Sequence, residues 1–323
     1  MGIEVEEHGA TTSDGWSLHL KRTVDPSRLQ RSRRPLLIVP GYGMNGFIFG
    51  FHPRGTSLER HLAEAGLEVW TASLRAQGRS RALAPGADGP SLRGYAERDL
   101  PAIIDAVLAR TASSSDRVDA LGASLGGSIT FAHLALVRPH RIASVVAVGS
   151  PLRWEEIPPV LRVPFASRRL AGAVRISGAR RAASLVLPIV RHAPALLGMY
   201  MNAAHVDLAA AAQLVQTVED PHPRVNRDLA SWMRARDMVL RGVNVTDALR
   251  AEQGPLMLVL ANRDGIVPES VARSAARAWG GRDVTALRIG DPHDWYAHAD
   301  LFVGHDSPSL VFDPIARWLI DRR

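Results

Sequence analysis

Short apolar runs alternate with amphipathic segments along most of this 323-residue chain. The stretch PLLIVPGYG holds four consecutive apolar residues and then proline and glycine, a pattern typical of a strand buried on both faces. Segments such as SLERHLAEAG instead carry leucine and alanine at helical spacing and end at glycine. Because alternating strands and helices imply βαβ crossovers, the pattern predicts an α/β fold with a mostly parallel sheet and helices on both faces. The opening block EVEEHGATTSDGWSLHLKRTV alternates around Ser-Asp-Gly and predicts a hairpin at the sheet edge.

This alternation stops after Pro151 and resumes near residue 251. Between these points the chain is rich in alanine, arginine and proline, its apolar residues have helical spacing, and no strand is predicted. We therefore predict that residues 1–151 and 251–323 form one core, interrupted by a helical insertion over residues 152–250, here called the cap segment. Apolar stretches of the cap segment such as PPVLRVPF suit either a lid over a hydrophobic substrate or a subdomain with a small core of its own.

The positive charge of the chain is concentrated in the cap segment. The whole chain has a net charge of +7 and a sequence pI near 10.7. Eight arginines and two glutamates between residues 153 and 200 supply +6 of this charge. No zinc-finger, RNP-like or recognition-helix pattern accompanies them, so no nucleic-acid partner is expected. Two interpretations stay open, a solvated face and a surface for anionic membranes or ligands. The arginines are Arg153, Arg162, Arg168, Arg169, Arg175, Arg180, Arg181 and Arg191.

Composition restricts the class of protein further. The chain is 46% apolar and 22% charged, ordinary values for a soluble globular protein. It contains no cysteine, which excludes disulfides, cysteine-based zinc sites and a thiolate nucleophile. No run reaches the roughly 18 apolar residues that span a bilayer, and the acidic stretch MGIEVEEHG lacks the basic and apolar regions of a signal peptide. We therefore expect a cytoplasmic protein.

The stretch DALGASLGGSIT places one serine among glycines, directly after an apolar run and before a predicted helix. Gly122, Ser124 and Gly126 form the pattern G-x-S-x-G, which in a strand–turn–helix context is a nucleophile elbow. So sharp a turn admits only small neighbours and raises the hydroxyl above the carboxyl edge of the sheet. Ser124 is therefore the candidate nucleophile, and the amide of Leu125 is a candidate donor to an oxyanion.

A serine nucleophile requires a base, and the base requires a carboxylate that orients it. In this architecture the acid and then the histidine follow the serine along the chain, on loops after later strands. Asp264 follows a predicted strand in LMLVLANRDG and is the candidate acid, although Asp-Gly is also the commonest kind of turn signal. The stretch GDPHDWYAHADLFVGHD offers three histidines, His293, His298 and His305, and spacing from the last strand slightly favours His293.

The local pattern around His298 favours that residue instead and resembles a known family. In HADLFVGHDSP a histidine is followed by an aspartate, three apolar residues and glycine, and further on by an acidic residue, a small residue and proline. This order resembles the α/β hydrolases, in particular the branch of acid lipases and polyhydroxyalkanoate synthases. The resemblance implies an α/β-hydrolase fold with an inserted helical cap and His298 as the catalytic histidine. Asp300 is then expected to order the loop rather than to serve as the triad acid.

The resemblance also implies a carboxylic ester hydrolase of the esterase or lipase type, with a Ser124–His298–Asp264 triad and an acyl-enzyme intermediate. The synthases use cysteine where this chain has Ser124, so polymerisation is not expected. A second oxyanion donor is expected in VPGYG, where the family usually has His-Gly, and the Tyr42 amide is the candidate. The expected partner is a small-molecule or lipid ester. Thioester hydrolysis, acyl transfer and a non-catalytic binding protein on the same scaffold stay open as alternatives.

Two further patterns suggest ligands, and neither is complete. GYGMNG matches the dinucleotide fingerprint G-x-G-x-x-G, and Arg75, just past the next strand, could grip the 2′-phosphate of NADP. However, the loop continues as FIFGFHPRG before any predicted helix, so no helix N-terminus would face a pyrophosphate. The histidines and aspartates between residues 293 and 306 lack the H-E-x-x-H spacing of a zinc site. No cofactor and no metal are therefore expected.

Overall fold

The computed structural model describes residues 2–173, 178–190 and 197–322. The strands are β1 (Glu4–Thr11), β2 (Trp16–Val24), β3 (Leu36–Val39), β4 (Val69–Ala72), β5 (Arg81–Ala82), β6 (Val118–Ala123), β7 (Ile142–Val148), β8 (Val239–Leu240), β9 (Val243–Asn244), β10 (Leu256–Ala261) and β11 (Val284–Ile289). The α-helices are α1 (Leu58–Glu64), α2 (Leu92–Gly94), α3 (Leu100–Leu108), α4 (Leu125–Leu136), α5 (Pro159–Arg162), α6 (Arg168–Ala173), α7 (Ala179–Val190), α8 (Ala211–Leu214), α9 (Pro223–Ala235), α10 (Val245–Ala248), α11 (Glu269–Ala272), α12 (Ser274–Ala278), α13 (Asp300–Val303) and α14 (Asp313–Ile320). Short 3-10 helices lie at Gly46–Phe49, Leu208–Ala210, Val215–Thr217 and Leu249–Ala251, and π-helical turns lie at Tyr95–Asp99 and Pro308–Phe312. No helix within these described residues is both long enough and apolar enough to cross a membrane.

One mixed sheet forms the centre of the molecule, in the order β1-β2-β4-β3-β6-β7-β10-β11, with the short β5 paired to β2. β1, β2 and β4 pair in antiparallel fashion, so the opening hairpin forms one edge of the sheet as the alternation predicts. From β4 to β11 every neighbouring pair is parallel. The predicted α/β class with a mostly parallel sheet is confirmed.

Strand β3 explains why its apolar run is continuous. Successive side chains of a strand point to opposite faces of the sheet, and all four residues of β3 are buried. Leu37 and Val39 belong to the apolar core that includes helix α4, whereas Leu36 and Ile38 belong to the core on the other face, with α1 and α14. A strand with one polar face could not occupy this central position.

The described part of the cap segment contributes no strand to the main sheet. Helix α9 packs its apolar side into the core on the α4 face, rather than into a separate core. The Trp232 indole N–H donates to the Leu152 carbonyl, 3.1 Å away, and so joins α9 to the start of the cap segment. Strands β8 and β9 form a separate ribbon that the sequence pattern did not predict, because two-residue strands are too short to show a periodicity. The buried apolar side chains of α9 are Val225, Leu229, Ala230, Trp232 and Met233.

The loop after β3 differs from its prediction. The sequence predicted no helix before α1, whereas the 3-10 helix Gly46–Phe49 follows the glycines directly. The Asn45 side chain accepts a hydrogen bond from the Phe47 amide at 2.9 Å and thereby caps this turn. Asn45 also donates to the carboxylate of Glu219 in the cap segment at 2.6 Å, a long-range contact that local sequence does not contain.

Arg75 lies inside the protein rather than at a ligand site. Its side chain is fully buried. Its Nε donates to Asp99 Oδ1 at 2.8 Å, and its Nη1 donates to Asp14 Oδ2 at 2.7 Å and to the Asp88 carbonyl at 3.0 Å. Burial raises the pKa of Asp99 to about 6 in spite of the neighbouring guanidinium. Because these partners occupy its donors, Arg75 is not available to a nucleotide phosphate.

Candidate active site

Parallel strands bring the candidate site residues to one edge of the sheet. The register pairs Val39 of β3 with Gly122 of β6, and Ala123 of β6 with Val148 of β7. Val148 in turn pairs with Val259 of β10, so the carboxyl ends of these strands lie at a similar level. The segments that leave this edge after β3, β6, β10 and β11 carry Tyr42, Ser124, Asp264 and His298 respectively.

Ser124 occupies a strained turn between β6 and α4. Its φ of +53° and ψ of −122° lie in a region that residues with a side chain rarely adopt. A Cβ on Gly122 would lie 2.3 Å from the Cα of Gly127, and a Cβ on Gly126 would lie 2.1 Å from the Val39 carbonyl oxygen. Only glycine fits at these two positions, which explains why several glycines surround a single hydroxyl.

Backbone from two loops lies beside Ser124. Helix α4 begins at Leu125, so its first amides and the positive end of its dipole face the carboxyl edge of the sheet. On the other side, a Cβ on Gly41 would lie 3.0 Å from the Ser124 Cβ, which brings the Gly41–Tyr42 turn against the serine. Leu125 and the Gly41–Tyr42 turn thus flank Ser124, as two donors to an oxyanion must.

The Tyr42 side chain extends from this turn to the cap segment. Its hydroxyl donates to Asn226 Oδ1 at 2.5 Å, and its ring meets the Phe165 ring edge-on with centroids 6.3 Å apart. Burial raises the pKa of Tyr42, so the phenol stays protonated and continues to donate. The sequence assigned Tyr42 only a backbone role and gave no sign of this contact.

Asp264 and His298 form a buried pair. His298 Nδ1 donates to Asp264 Oδ2 at 2.6 Å, and their side chains are 7% and 1% exposed respectively. The other carboxylate oxygen, Oδ1, accepts hydrogen bonds from the amides of Ile266 and Val267, each at 2.8 Å. These two amides fix the carboxylate, and the carboxylate in turn fixes the direction of the imidazole. Asp264 is therefore more than an ordinary Asp-Gly turn.

Gly149 connects this pair to Ser124. The Ser124 amide donates to the carbonyl of Val148 at 2.8 Å, next to Gly149 in the chain. A Cβ on Gly149 would lie 3.0 Å from His298 Cε1 and 3.6 Å from Asp264 Oδ2. The imidazole therefore lies directly against the strand end that also holds the serine turn. Gly149 did not emerge from the sequence analysis, although a glycine after a buried strand, in AVGSP, is the signal that could have found it.

The other two candidate histidines lie elsewhere. The His293 side chain is exposed, and its amide donates to Asp291 Oδ1 at 2.7 Å. His305 is partly buried, and its amide donates to the His205 carbonyl at 2.7 Å. Within the residues that the structure describes, no group of three or more histidine and acidic side chains is arranged to hold a metal ion.

Comparison with known proteins identifies the family. The model of the alpha/beta hydrolase fold family matches residues 34–292, most of the chain. The chain belongs to this family. The family resemblance around His298 predicted this membership, which is thereby confirmed. No curated protein sequence matches the chain.

Solved structures similar to this α/β hydrolase include several esterases and lipases. A thermophilic esterase from Thermogutta terrifontis has a TM-score of 0.64 and 18% identity, with 98% of each chain covered. The esterase RhEst1 from Rhodococcus sp. ECU1013 has a TM-score of 0.59 and 19% identity, with 100% of each chain covered. A monoacylglycerol lipase from Paleococcus ferrophilus has a TM-score of 0.59 and 14% identity, again over 100% of each chain. At these identities the likeness concerns the fold, which is that of an α/β hydrolase.

A small cavity lies beside the Ser124 turn of this α/β hydrolase. Its volume of about 20 Å³ is room for one water molecule. Gly41, Tyr42 and Leu125 form the wall next to the serine, and residues 219–222 of the cap segment close the opposite side. This cavity therefore has no room for a long acyl chain while residues 219–222 lie in this position. Apolar and aromatic side chains of the lining include Tyr95, Ile129 and Val225.

Proposed function

We propose that this α/β hydrolase hydrolyses carboxylic esters, with Ser124 as nucleophile, His298 as general base and Asp264 as the carboxylate that orients the histidine. Residues 1–151 and 251–323 form the catalytic core, and the cap segment covers the acyl site. The observation that carries the proposal is the buried 2.6 Å hydrogen bond between His298 and Asp264, at the strand edge where Ser124 occupies its strained turn. A serine, a histidine and an acid on successive loops are the groups that acyl transfer through serine requires.

Each step of the reaction has a group to perform it. Ser124 Oγ bonds to the carbonyl carbon while its proton passes to His298 Nε2, and the amides of Leu125 and Tyr42 stabilise the oxyanion. The intermediate then expels the alcohol, which takes the proton from His298 and leaves the acyl group on Ser124. Water attacks the acyl carbon and gives a proton to His298. The carboxylic acid leaves as this proton returns to Ser124.

The small cavity leads to a prediction about acyl length. We expect turnover of p-nitrophenyl esters to be highest between acetate and butyrate and to fall about tenfold by octanoate, because overfilling a packed site costs roughly 1–3 kcal/mol. The measurement is kcat/KM across the series from acetate to palmitate, without detergent or lipid. An optimum at palmitate would contradict the short-acyl site. A folded protein that hydrolyses none of these esters would contradict the proposed function itself.

The cap segment also supports a proposal about a partner, an anionic lipid surface. Val163, Leu170 and Leu185 are 73%, 45% and 72% exposed, so the cap segment presents large apolar side chains to solvent. Arginines of the cap segment accompany them, a combination typical of surfaces that bind anionic lipid. Arg175 and Arg191 lie outside the described residues. Between residues 153 and 200, the exposed arginines that make no salt bridge with any described residue are Arg162, Arg168, Arg169 and Arg181.

Neutralising these four arginines tests the proposal. We expect their replacement by glutamine to weaken binding to phosphatidylglycerol vesicles by about a thousandfold, since each arginine near an anionic surface contributes roughly 1 kcal/mol. Binding is measured by vesicle flotation at low and high salt, with phosphatidylcholine vesicles for comparison, because salt screens such an attraction.

A matched control changes the same charge on the core. The exposed residues Arg31, Arg81, Arg110 and Arg282 make no salt bridge with any described residue, and their replacement by glutamine should leave most of the binding intact. If the wild-type protein does not float with anionic vesicles at low salt, or if both quadruple variants lose binding equally, the cap segment is not a lipid-binding surface.

A further inference from the structure

A strap of the cap segment, residues 199–206, lies across both loops that carry the buried Asp264–His298 pair. The amide of Gly265 donates to the Met199 carbonyl at 3.0 Å, and the amide of Ala299 donates to the Tyr200 carbonyl at 2.8 Å. The contact at Gly265 is so close that a Cβ there would lie 2.7 Å from the Met199 carbonyl oxygen. Consecutive residues of the strap are therefore bonded to the residues that directly follow the acid and the histidine.

Asp300 is the buried group to which the strap and the histidine loop both bind. It is 1% exposed. The Asn202 amide donates to both of its carboxylate oxygens at 3.0 Å, and the Ala297 amide donates to Oδ2 at 2.7 Å. The Asn202 side chain strengthens the same junction, because its Nδ2 donates to the Trp295 carbonyl at 2.8 Å. One carboxylate thus joins a cap residue to the residue immediately before His298.

These contacts hold the backbone on both sides of His298. The amide before it, that of Ala297, is bonded to Asp300, and the amide after it, that of Ala299, is bonded to the strap. The Tyr200 ring lies 6.0 Å from the imidazole, between centroids. The strap also continues as a β-bridge between Val206 and Gly304, so it is fixed beyond the end of helix α13.

Burial disfavours the ionised form of the Asp300 carboxylate. Burial raises the pKa of Asp300 to about 6, and the Asp264 charge acts in the same direction, while the amides of Ala297 and Asn202 and the nearby His205 act against it. A raised pKa means that ionised Asp300 lowers the stability of the fold at neutral pH.

We propose that Asp300 is a positioning residue for catalysis: through the Asn202 and Ala297 amides it fixes the loop that presents His298 to Asp264 and Ser124. This inference rests on the proposed serine hydrolase function. It makes the cap segment part of the catalytic geometry as well as a cover for the acyl site. An asparagine at position 300 could keep an oxygen at the Oδ2 position, where both amides donate, but it would turn an NH₂ group toward the Asn202 amide in place of Oδ1. It would also remove the negative charge that strengthens these bonds, so the loop would be held less firmly.

The test compares Asp300→Asn with Asp119→Asn. Asp119 is also buried, accepts hydrogen bonds from Arg34 and Ser144 at 2.7 Å, and has a pKa raised by burial. However, it lies near the amino end of β6, whereas the candidate site lies at the carboxyl ends of the strands. We expect Asp300→Asn to lower kcat for p-nitrophenyl butyrate up to about a hundredfold with little change in KM, because small displacements of a reacting group have effects of this size. Asp119→Asn should leave kcat unchanged, although it lowers the unfolding temperature.

A second readout does not depend on ester turnover. The proton shared by His298 and Asp264 should give a far-downfield NMR resonance, assigned by its loss in His298→Ala, and Asp300→Asn should shift or abolish it. If the wild type shows this resonance but hydrolyses no ester, the proposed function fails while the positioning role is still measured. Should Asp300→Asn not fold, Asn202→Ala keeps the backbone donor and should show a smaller loss of the same kind. The proposal is overturned if folded Asp300→Asn keeps both the wild-type kcat and the resonance. Where Asp300→Asn does not fold, it is overturned if Asn202→Ala keeps both. It is also overturned if Asp119→Asn loses kcat and the resonance to the same extent as Asp300→Asn.

Discussion

Replacement of Ser124 by alanine is expected to lower kcat for a short p-nitrophenyl ester by a factor on the order of 10⁶, as loss of a triad serine does elsewhere. Without the hydroxyl no acyl-enzyme forms, and only transition-state stabilisation by the oxyanion donors is left. Alanine has the same Cβ as serine, so the φ of +53° is no more strained in the variant than in the wild type. The fold should therefore survive. The measurements are kcat for the loss of turnover and circular dichroism, on the same samples, for the retention of the fold.

Ser128 provides the matched control for this substitution. It lies one turn further along α4, is fully buried, and donates its hydroxyl to the Pro151 carbonyl at 2.6 Å. Ser128→Ala removes a hydroxyl oxygen four residues further along the chain, where it donates to the Pro151 carbonyl and has no role in the proposed triad, so its kcat should stay close to that of the wild type. Turnover by Ser124→Ala at a rate comparable to that of Ser128→Ala would exclude Ser124 as nucleophile.

Local patterns in the sequence predict much of the fold and one part of the site. The apolar run of β3 predicts a doubly buried strand because its residues must alternate between two cores. The glycines around Ser124 predict a nucleophile elbow because close backbone contacts exclude a Cβ at Gly122 and Gly126. In both cases the physical cause lies within a few residues of the pattern, so the pattern can reveal it.

Other features depend on which segments meet in space. Spacing alone left three histidines open, whereas the structure brings His298 to Asp264 because β10 and β11 are parallel neighbours whose carboxyl ends coincide. The position of the strap is even less predictable from local sequence. Nothing within residues 199–206 marks them as a partner of Asp300, because the bonds are made by backbone groups that every residue has. The small cavity likewise depends on how the cap segment packs, which periodicity does not determine.

Asp264→Asn is expected to lower kcat on the order of 10⁴-fold while leaving the loop intact. Asparagine keeps one oxygen, which can still accept the amides of Ile266 and Val267 as Oδ1 does now. Its NH₂ group then replaces Oδ2 and donates to His298 Nδ1, so the ring must carry its own proton on Nε2. In that tautomer Nε2 cannot accept the proton of Ser124, and the nucleophile is not activated. The measurement is kcat and kcat/KM as a function of pH for the variant and the wild type.

A second histidine–aspartate pair provides a control, because replacing its aspartate also removes a carboxylate but does not change the tautomer of His298. His61 Nε2 bonds to Asp313 Oδ1 at 2.8 Å on the surface, between α1 and α14, so Asp313→Asn should leave kcat unchanged.

The losses of kcat caused by Ser124→Ala and Asp264→Asn should not multiply, because an enzyme without its nucleophile gains nothing from an oriented base. Ser124→Ala combined with Asp264→Asn should therefore be about as slow as Ser124→Ala alone. If the two losses multiplied instead, Asp264 would act on a step that does not involve the serine, and the triad would be the wrong description of this site.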